Sequence, residues 1–333
     1  MRSSSSIGTC SRRSVDLRNR PARYPASVMF ARRAALPVLT PTRRRALIAF
    51  GLVVAVAMWA AIVAFAEPYD WSRLGTGHDA RPYWTAAFDV PYATSRVGAH
   101  DAYLYSPAFL QLLAPLRALP WQVFMAGWVA VLILATLYLV GPVLLGPVLL
   151  LALPEILGGN ITLLLAVAVV AGFRFPGTWA FPLLTKVTPG VGLIWFGVRR
   201  EWRALAIAAA TTAGVVVLSF VSTPAGEWLE WIRVLAGNAG SPIDSGSLPI
   251  PLVVRLPIAI VVIAWAARSD RRWLLPIGCL LALPVIWYGS LTLLLGVIPL
   301  AFPEVTAWSW REQLDRAREW FRGRPSVRDT QSA

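Results

Sequence analysis

The chain has 333 residues, of which 57% are apolar and 14% charged, and its mean hydropathy is +0.60. Soluble domains carry about 25% charged residues, so this composition excludes an ordinary water-soluble enzyme and predicts a multi-pass membrane protein. The net charge is +14, and eleven arginines precede residue 46. Such clustering beside an apolar segment indicates a cytoplasmic flank rather than a nucleic-acid-binding surface. Two cysteines are too few for a disulfide framework.

The N-terminal part predicts one membrane span followed by a large external loop. Residues 1–45 are rich in Ser, Arg and Pro without apolar periodicity, so we expect a disordered basic cytoplasmic tail. Residues 46–66 are uncharged and long enough to cross a hydrocarbon core of about 30 Å, running from inside to outside. Residues 67–106 then carry an excess of acidic groups, as expected of an external loop. Residues 106–119 predict a helix along the outer surface.

The central part predicts short spans with well-marked breaks. Residues 121–140 return to the inside, and two short spans, 142–157 and 160–172, follow. Residues 177–198 lie between Arg174 and an arginine cluster at 199–203. A single crossing would put one of these groups outside, so the positive-inside preference favours two half-helices that re-enter from the cytoplasm and turn near residues 186–189.

The C-terminal part completes the bundle. Residues 204–221 lead out again, 222–249 form a second external loop, and 250–267 return. Residues 273–302 predict two short helices joined near Gly289 and Ser290. Residues 304–333 predict a cytoplasmic interfacial helix and tail. The sequence therefore predicts an all-α polytopic membrane protein with a domain at 46–303. We expect about ten transmembrane or re-entrant helices, with external loops at 67–120 and 222–249.

The distribution of ionisable residues favours an enzyme over a transporter or channel. Transporters and channels usually carry such groups near the bilayer midplane, whereas here the spans contain only Glu155, Lys186 and Arg255. Both histidines, His78 and His100, lie in the first external loop. A small-solute transporter and a catalytically inactive envelope-assembly scaffold remain the alternatives. HExxH, P-loop, GxSxG and CxxC patterns are absent from the sequence, and we expect neither a metal nor a cofactor.

Asp79 is the strongest candidate for a catalytic group. It lies shortly after the first span and is surrounded by aromatic residues that can stack on sugar rings, in the stretch GHDARPYW at 77–84. A carboxylate in this position can act as a general base towards a hydroxyl. The alternative is that Asp79 caps or turns a solvated loop.

Several short motifs, in this order and spacing, resemble glycosyltransferase family 87 over roughly residues 65–300. In chain order they are Asp79 with Tyr83, Ala86 and Ala87; Tyr105-Ser106-Pro107; Pro115-Leu116 with Leu119-Pro120; Gly159-Asn160-Ile161-Thr162; Lys186-Val187-Thr188-Pro189 with the arginine turn at 199–203; Ser247-Leu248; and Pro284-Val285-Ile286-Trp287.

The resemblance implies a polytopic enzyme of the GT-C type, which takes a sugar, often mannose, from a polyprenyl-phosphate carrier. Asp79 would correspond to the family's essential first-loop Asp, which deprotonates an acceptor hydroxyl as it attacks the anomeric carbon with inversion. The acceptor would be a glycolipid or glycan at the extracytoplasmic side of the cytoplasmic membrane. Cations near the leaving phosphate would stabilise its charge, and the apolar spans would form a groove for the prenyl tail.

Candidate substrate-binding residues follow from the residue types and from the resemblance. Lys186 is the only lysine, and a charge in mid-span costs on the order of 2.5–3.5 kcal/mol, so it faces a polar cavity or phosphate, or else anchors at an interface. Arg81 and Arg255 are candidates for binding the donor phosphate. The alternative for Arg81 is a salt bridge within the loop, and the alternative for Arg255 is snorkelling to the membrane interface. The full set of candidates is Arg81, Tyr83, Trp84, Tyr105, Asn160, Lys186, Arg255 and Tyr288.

The chain departs from the family pattern at two places. Gly159-Asn160-Ile161-Thr162 stands where the family often has Gly-Gln-x-Asn, and Gly289 where it often has a His. If that His binds substrate, Tyr288 or Ser290 would have to replace it here.

Overall fold

A computed structural model describes residues 39–66, 76–86, 91–92, 95–97, 101–238 and 247–303. Apart from one isolated β-bridge between Ser247 and Trp287, the regular structure in these ranges is helical, as predicted. The α-helices described are α1 Pro41–Phe65, α2 Arg81–Thr85, α3 Pro107–Arg117, α4 Trp121–Leu151, α5 Leu153–Gly158, α6 Thr162–Ala171, α7 Ala180–Thr185, α8 Ile194–Val198, α9 Trp202–Ser219, α10 Ala225–Asn238, α11 Leu252–Arg268, α12 Leu275–Leu281 and α13 Val297–Ala301. Short 3₁₀ helices are Pro176–Trp179, Thr188–Leu193, Arg272–Leu274 and Gly289–Gly296.

Three of the described helices, α1, α4 and α9, are long and apolar enough to cross a membrane. On α1 and α9, most large apolar side chains face outwards: Val53 and Val56 on α1 and Leu218 on α9 are each at least 65% exposed. Contiguous exposed apolar surface is unfavourable in water and expected in contact with lipid. The chain is therefore a helical membrane protein.

The longest helix, α4, consists of two helices that meet at Gly141, where φ is 70° and ψ is 172°. Before this break, the Trp121 indole N–H donates to the carbonyl of Ala66 at the end of α1 (3.0 Å). Beyond it, Gly146 packs against Gly51 in the first half of α1. Helix α4 therefore contacts first the end of α1 and then its first half, and α5 again lies beside the end of α1. The direction of the chain is thus reversed at Gly141. This confirms the predicted separation of 121–140 from 142–157.

Residues 176–198 form a helical hairpin, as the arginines on either side predicted. Its arms pack together, with Gly190 against Leu183 near the turn. At the other end, the ring centroids of Phe173 and Trp195 are 5.4 Å apart. The turn occurs at Val187, which has a φ of 56°.

Residues 272–301 form a similar hairpin, since a Cβ on Gly296 would contact Pro276 (3.2 Å). The two predicted helices are confirmed, but their junction differs. It occupies residues 282–288, and the second helix begins at Gly289 rather than after it.

Three turns lie at one end of the bundle, which we call the tip pole. In chain order they are the first hairpin turn, residues 158–161 between α5 and α6, the second, residues 186–187, and the third, residues 282–289. Glu155 packs against Gly289 there, and the N–H of Ser106 donates to the carbonyl of Leu184 (3.2 Å). The opposite ends form the arginine pole, comprising residues 173–174, 199–203 and 268–272. Arg199 pairs with Asp270 (2.9 Å), and the guanidinium carbon of Arg272 lies 5.2 Å from the ring centroid of Phe173.

One predicted boundary needs correction, and one predicted loop contains a helix. Helix α1 begins at Pro41, so residues 41–45, predicted as part of the disordered tail, are helical. The predicted loop 222–249 contains helix α10, whose acidic and apolar residues alternate with helical spacing. Residues 1–38 of the tail and the predicted interfacial segment 304–333 lie outside the described residues.

The regions predicted as two separate external loops contact each other. The Asn238 side chain at the end of α10 accepts a hydrogen bond from the N–H of Val97 (2.9 Å). The Trp231 indole N–H donates to the carbonyl of Leu104 (3.2 Å). The helix predicted at 106–119 is present as α3. Ser106, at the start of α3, joins these segments to the tip pole.

Candidate active site

Asp79 lies in the turn before α2, directly against the first hairpin turn. Its own N–H and that of Ala80 both donate to the carbonyl of Gly158 (2.9 and 3.1 Å), and the N–H of Gly77 donates to Leu157 (2.6 Å). The backbone of residues 77–80 is thus fixed to the end of α5. The Asp79 side chain remains 35% exposed, so a substrate can reach its carboxylate.

Asn160 orients the Asp79 carboxylate. Its side-chain NH₂ donates to Asp79 Oδ2 (3.0 Å). Its carbonyl oxygen accepts the N–H of Ile161 (2.7 Å) and the hydroxyl of Thr162 (3.3 Å). Because donors already occupy the carbonyl oxygen, the amide can present only its NH₂ to the carboxylate. Asn160 therefore holds Asp79 in one orientation.

Gly159 makes this approach possible. It has a left-handed φ of 75°, a conformation that favours glycine. A Cβ at this position would lie 2.6 Å from the Cβ of Ala80. The Trp128 indole N–H fixes the same turn by donating to the Gly159 carbonyl (2.7 Å). A larger residue at 159 would push the segment bearing Asp79 away from the turn.

His78 is a further polar group beside the carboxylate. Its Nε2 lies 3.4 Å from Asp79 Oδ2, and its side chain is 48% exposed. The sequence placed His78 in the first external loop, and the structure places it next to the candidate base. His100 lies outside the described residues.

Tyr83 and Tyr105 form a buried wall behind the site. Their hydroxyl groups are hydrogen-bonded (2.9 Å), and Tyr83 also packs against Phe109 and Trp128. Burial, reinforced by Tyr105, raises the pKa of the Tyr83 phenol well above its ordinary value, so the phenol stays neutral. Because both rings are enclosed by aromatic neighbours, they support the site from within rather than offer a free face to a sugar.

Lys186 brings a positive charge to this wall from the second hairpin turn. Its Nζ lies 5.2 Å from the ring centroid of Tyr105. The carboxyl groups of Asp79 and Glu155 are its electrostatic neighbours. The tip pole thus gathers a cation and two carboxylates from three separate segments of the chain.

Glu155 is the member of this cluster that sequence reasoning did not select as a site residue. Its side chain is buried (3% exposed), and Oε1 accepts the N–H of Thr162 (2.9 Å). The available signal was a carboxylate within an apolar span, close before the turn that contains Asn160.

Two of the predicted site residues in the first loop bind other parts of the loop. Arg81 pairs with Asp101 (3.1 Å), which matches the salt-bridge alternative. The Trp84 indole donates to the carbonyl of Leu119 (3.0 Å) and packs on Trp121. These contacts shape the loop around Asp79.

Arg255 and Tyr288 are not brought into the Asp79 cluster. The Arg255 guanidinium donates to four backbone carbonyls at 2.7–3.0 Å, those of Ile250, Leu281, Leu283 and Pro284. It thereby joins the start of α11 to the third hairpin turn. The Tyr288 side chain is 76% exposed.

Among the described residues, no group of three or more His, Cys, Asp or Glu side chains is placed to hold a metal ion. In comparisons with known proteins, the family model of glycosyltransferase family 87 matches residues 103–320. No curated protein and no solved structure matches the chain. The matched segment contains Asn160, Lys186 and Glu155 and begins after Asp79. The Asn160–Asp79 hydrogen bond therefore links the candidate base to the matched segment.

Proposed function

Because the chain belongs to glycosyltransferase family 87, we propose that it moves a hexose, in the first instance mannose, from a polyprenyl-phosphate carrier to an acceptor hydroxyl. The acceptor is a glycolipid or glycan outside the cytoplasmic membrane. The observation that carries this proposal is the accessible Asp79 carboxylate, which a residue of the matched segment orients at the tip pole.

In this reaction Asp79 acts as general base. It takes the proton of the acceptor hydroxyl while the hydroxyl oxygen attacks the anomeric carbon of the donor sugar from the side opposite the phosphate. The bond between the anomeric carbon and the phosphate oxygen breaks, and polyprenyl phosphate leaves with the electron pair. The sugar configuration is thereby inverted. Lys186, from the second hairpin turn, is the cation that stabilises the charge gained by the phosphate.

Charge distribution supports the orientation. The arginine pole carries the basic clusters at 199–203 and 268–272, and the positive-inside rule places such ends in the cytoplasm. The tip pole then faces the extracytoplasmic side. The hairpins described above fit a GT-C-like bundle of about ten transmembrane or re-entrant helices.

An apolar groove supports a lipid-linked donor. It has a volume of about 420 Å³ and lies between α1 and the chain from Leu150 to Leu157. Its walls are Val54, Ala57, Met58, Ala61, Ile62, Phe65, Thr76, Leu150, Leu153 and Leu157. Thr76 lies close to Asp79 in the chain, so a prenyl tail in the groove would place its phosphate near the candidate base.

Filling this groove should weaken the use of long-chain donors. Ala61→Trp places an indole inside it, and we expect KM for a long polyprenyl-phosphate donor to rise about tenfold. KM for a short-chain donor should change less, because a short tail occupies less of the groove. Ala60→Trp is the matched control, since Ala60 is exposed on α1 and is not a groove wall. Equal effects of the two variants, or equal effects on both donors, would contradict this location of the tail.

The decisive experiment for the proposed function compares donors with the purified, reconstituted protein. We expect transfer of radiolabelled mannose, or glucose in a parallel reaction, from polyprenyl phosphate and not from the corresponding nucleotide sugar. Transfer from the nucleotide sugar alone would overturn the donor assignment. Absence of transfer from every donor would favour the inactive scaffold or the transporter instead.

A further inference from the structure

Glu155 holds the turn that contains Asn160 at several points. Its carboxylate accepts the N–H of Thr162, as described above, and its backbone carbonyl accepts the N–H groups of Gly159 (3.0 Å) and Asn160 (3.2 Å). Glu155 alone therefore accepts hydrogen bonds from three residues of this turn. Because the hydroxyl of Thr162 in turn donates to the Asn160 side chain, the carboxylate of Glu155 is connected to the group that orients Asp79.

The carboxyl group of Glu155 occupies the space that a side chain at position 289 would enter. A Cβ on Gly289 would lie 2.5 Å from Glu155 Oε2, a separation that real Cβ atoms do not adopt. The φ of Gly289 lies outside the left-handed range, so the backbone itself would accept another residue. An added side chain at position 289 would therefore have to displace the Glu155 carboxyl group, and backbone conformation would not oppose it.

From these contacts we propose that Glu155 is a positioning residue for Asp79: its buried carboxylate, in the space left by Gly289, holds the 159–162 turn so that Asn160 faces Asp79. This inference rests on the proposed function, because it assigns Glu155 a part in the same reaction. Glu155 reaches the base only through the turn and does not itself contact the reacting atoms.

The test is a double-mutant cycle between positions 155 and 160 in the reconstituted protein. Glu155→Ala should lower kcat by about 10–100-fold, the size expected when a reacting group is slightly misplaced, with little change in KM. Glu155→Gln keeps an oxygen that can accept the N–H of Thr162, so its kcat should stay within about threefold of wild type. In an Asn160→Ala background, Glu155→Ala should have almost no further effect.

Three outcomes would overturn the proposal. Additive losses in the cycle would show that Glu155 does not act through Asn160. An equal loss in Glu155→Gln and Glu155→Ala would show that charge, not the hydrogen bond to the turn, is what matters. If Glu155→Ala lowered the amount of folded protein but left kcat per folded molecule unchanged, Glu155 would have only a structural role.

A second cycle separates this inference from the proposed function, because it needs no sugar transfer. Thermal unfolding midpoints, followed by tryptophan fluorescence, should fall in Glu155→Ala and in Asn160→Ala, and by less than the sum of the two in the double variant. Additive shifts would overturn the shared turn even in an active protein. Non-additive shifts in a protein that transfers no sugar would support the turn and reject the proposed function.

The contact with Gly289 gives an independent test. Gly289→Ala should lower kcat about tenfold or more, although alanine is ordinarily the better helix residue, because the added methyl group displaces the Glu155 carboxylate. The same substitution should cause no further loss in the Glu155→Ala background. Gly127→Ala in α4 is the matched control, since apart from the backbone of its own helix and its two chain neighbours nothing lies within 4 Å of the added Cβ. Unchanged activity of Gly289→Ala, or a further loss without the Glu155 carboxylate, would contradict the assignment.

Discussion

Sugar transfer by the Asp79→Asn variant is expected to fall by about 10²–10⁴-fold, the usual contribution of a general base. Asparagine has nearly the same shape as aspartate, and its carbonyl can still accept the hydrogen bond from Asn160. The backbone bonds that fix residue 79 to the Gly158 carbonyl do not involve the side chain. The substitution therefore removes proton acceptance while keeping the local structure, and the loss should appear in kcat with saturating donor.

The matched control for this prediction is Asp270→Asn. Asp270 lies at the arginine pole, where it pairs with Arg199 on the surface, and an exposed pair contributes little to stability. Both variants should unfold at the wild-type temperature, and only Asp79→Asn should lose activity. Substantial transfer by Asp79→Asn would remove Asp79 from the mechanism while leaving the donor assignment intact.

The parts of the fold that could be predicted depend on strong local signals. Arginines on both sides of residues 177–198 predicted a hairpin, because an arginine cluster strongly prefers one side of a membrane. Helix α10 could not be recognised in the same way. Its Glu227 and Glu230 gave the segment the acidic character of a loop, although its apolar residues recur with helical spacing. Its contacts with residues 97 and 104, which are distant in the sequence, could not be predicted.

A site residue could be predicted where its own side-chain chemistry indicated its role. It could not be predicted where the role depends on contacts with residues distant in the sequence. Asp79, Asn160 and Lys186 were selected through residue type and family resemblance, and the structure brings them together. Arg255 was equally plausible as a phosphate ligand, but its donors are used by four backbone carbonyls whose convergence no sequence pattern reveals. Glu155 was noticed only as a charge within a span, because its importance depends on a turn and on a glycine more than a hundred residues away.

Replacing Lys186 by methionine is expected to lower kcat by about 10²–10³-fold, as when an electrostatic stabiliser of the transition state is removed. Methionine keeps much of the side-chain length beside the Tyr105 ring but has no charge for the leaving phosphate. It also leaves the carboxylates of Asp79 and Glu155 without their nearby cation. The measurement is single-turnover transfer from polyprenyl-phosphate mannose, with the folded fraction determined by tryptophan fluorescence.

Two further variants distinguish these roles of Lys186. Arg174→Met removes a cation at the arginine pole, where Arg174 lies over the Phe175 ring, and should leave transfer unchanged. If Lys186 served only to balance the two carboxyl groups, adding Glu155→Gln to Lys186→Met would restore activity, because position 155 could then carry no negative charge. We expect no such recovery, since the leaving phosphate would still lack its cation. Recovery in the double variant would assign Lys186 to the carboxylates and leave phosphate stabilisation to another group.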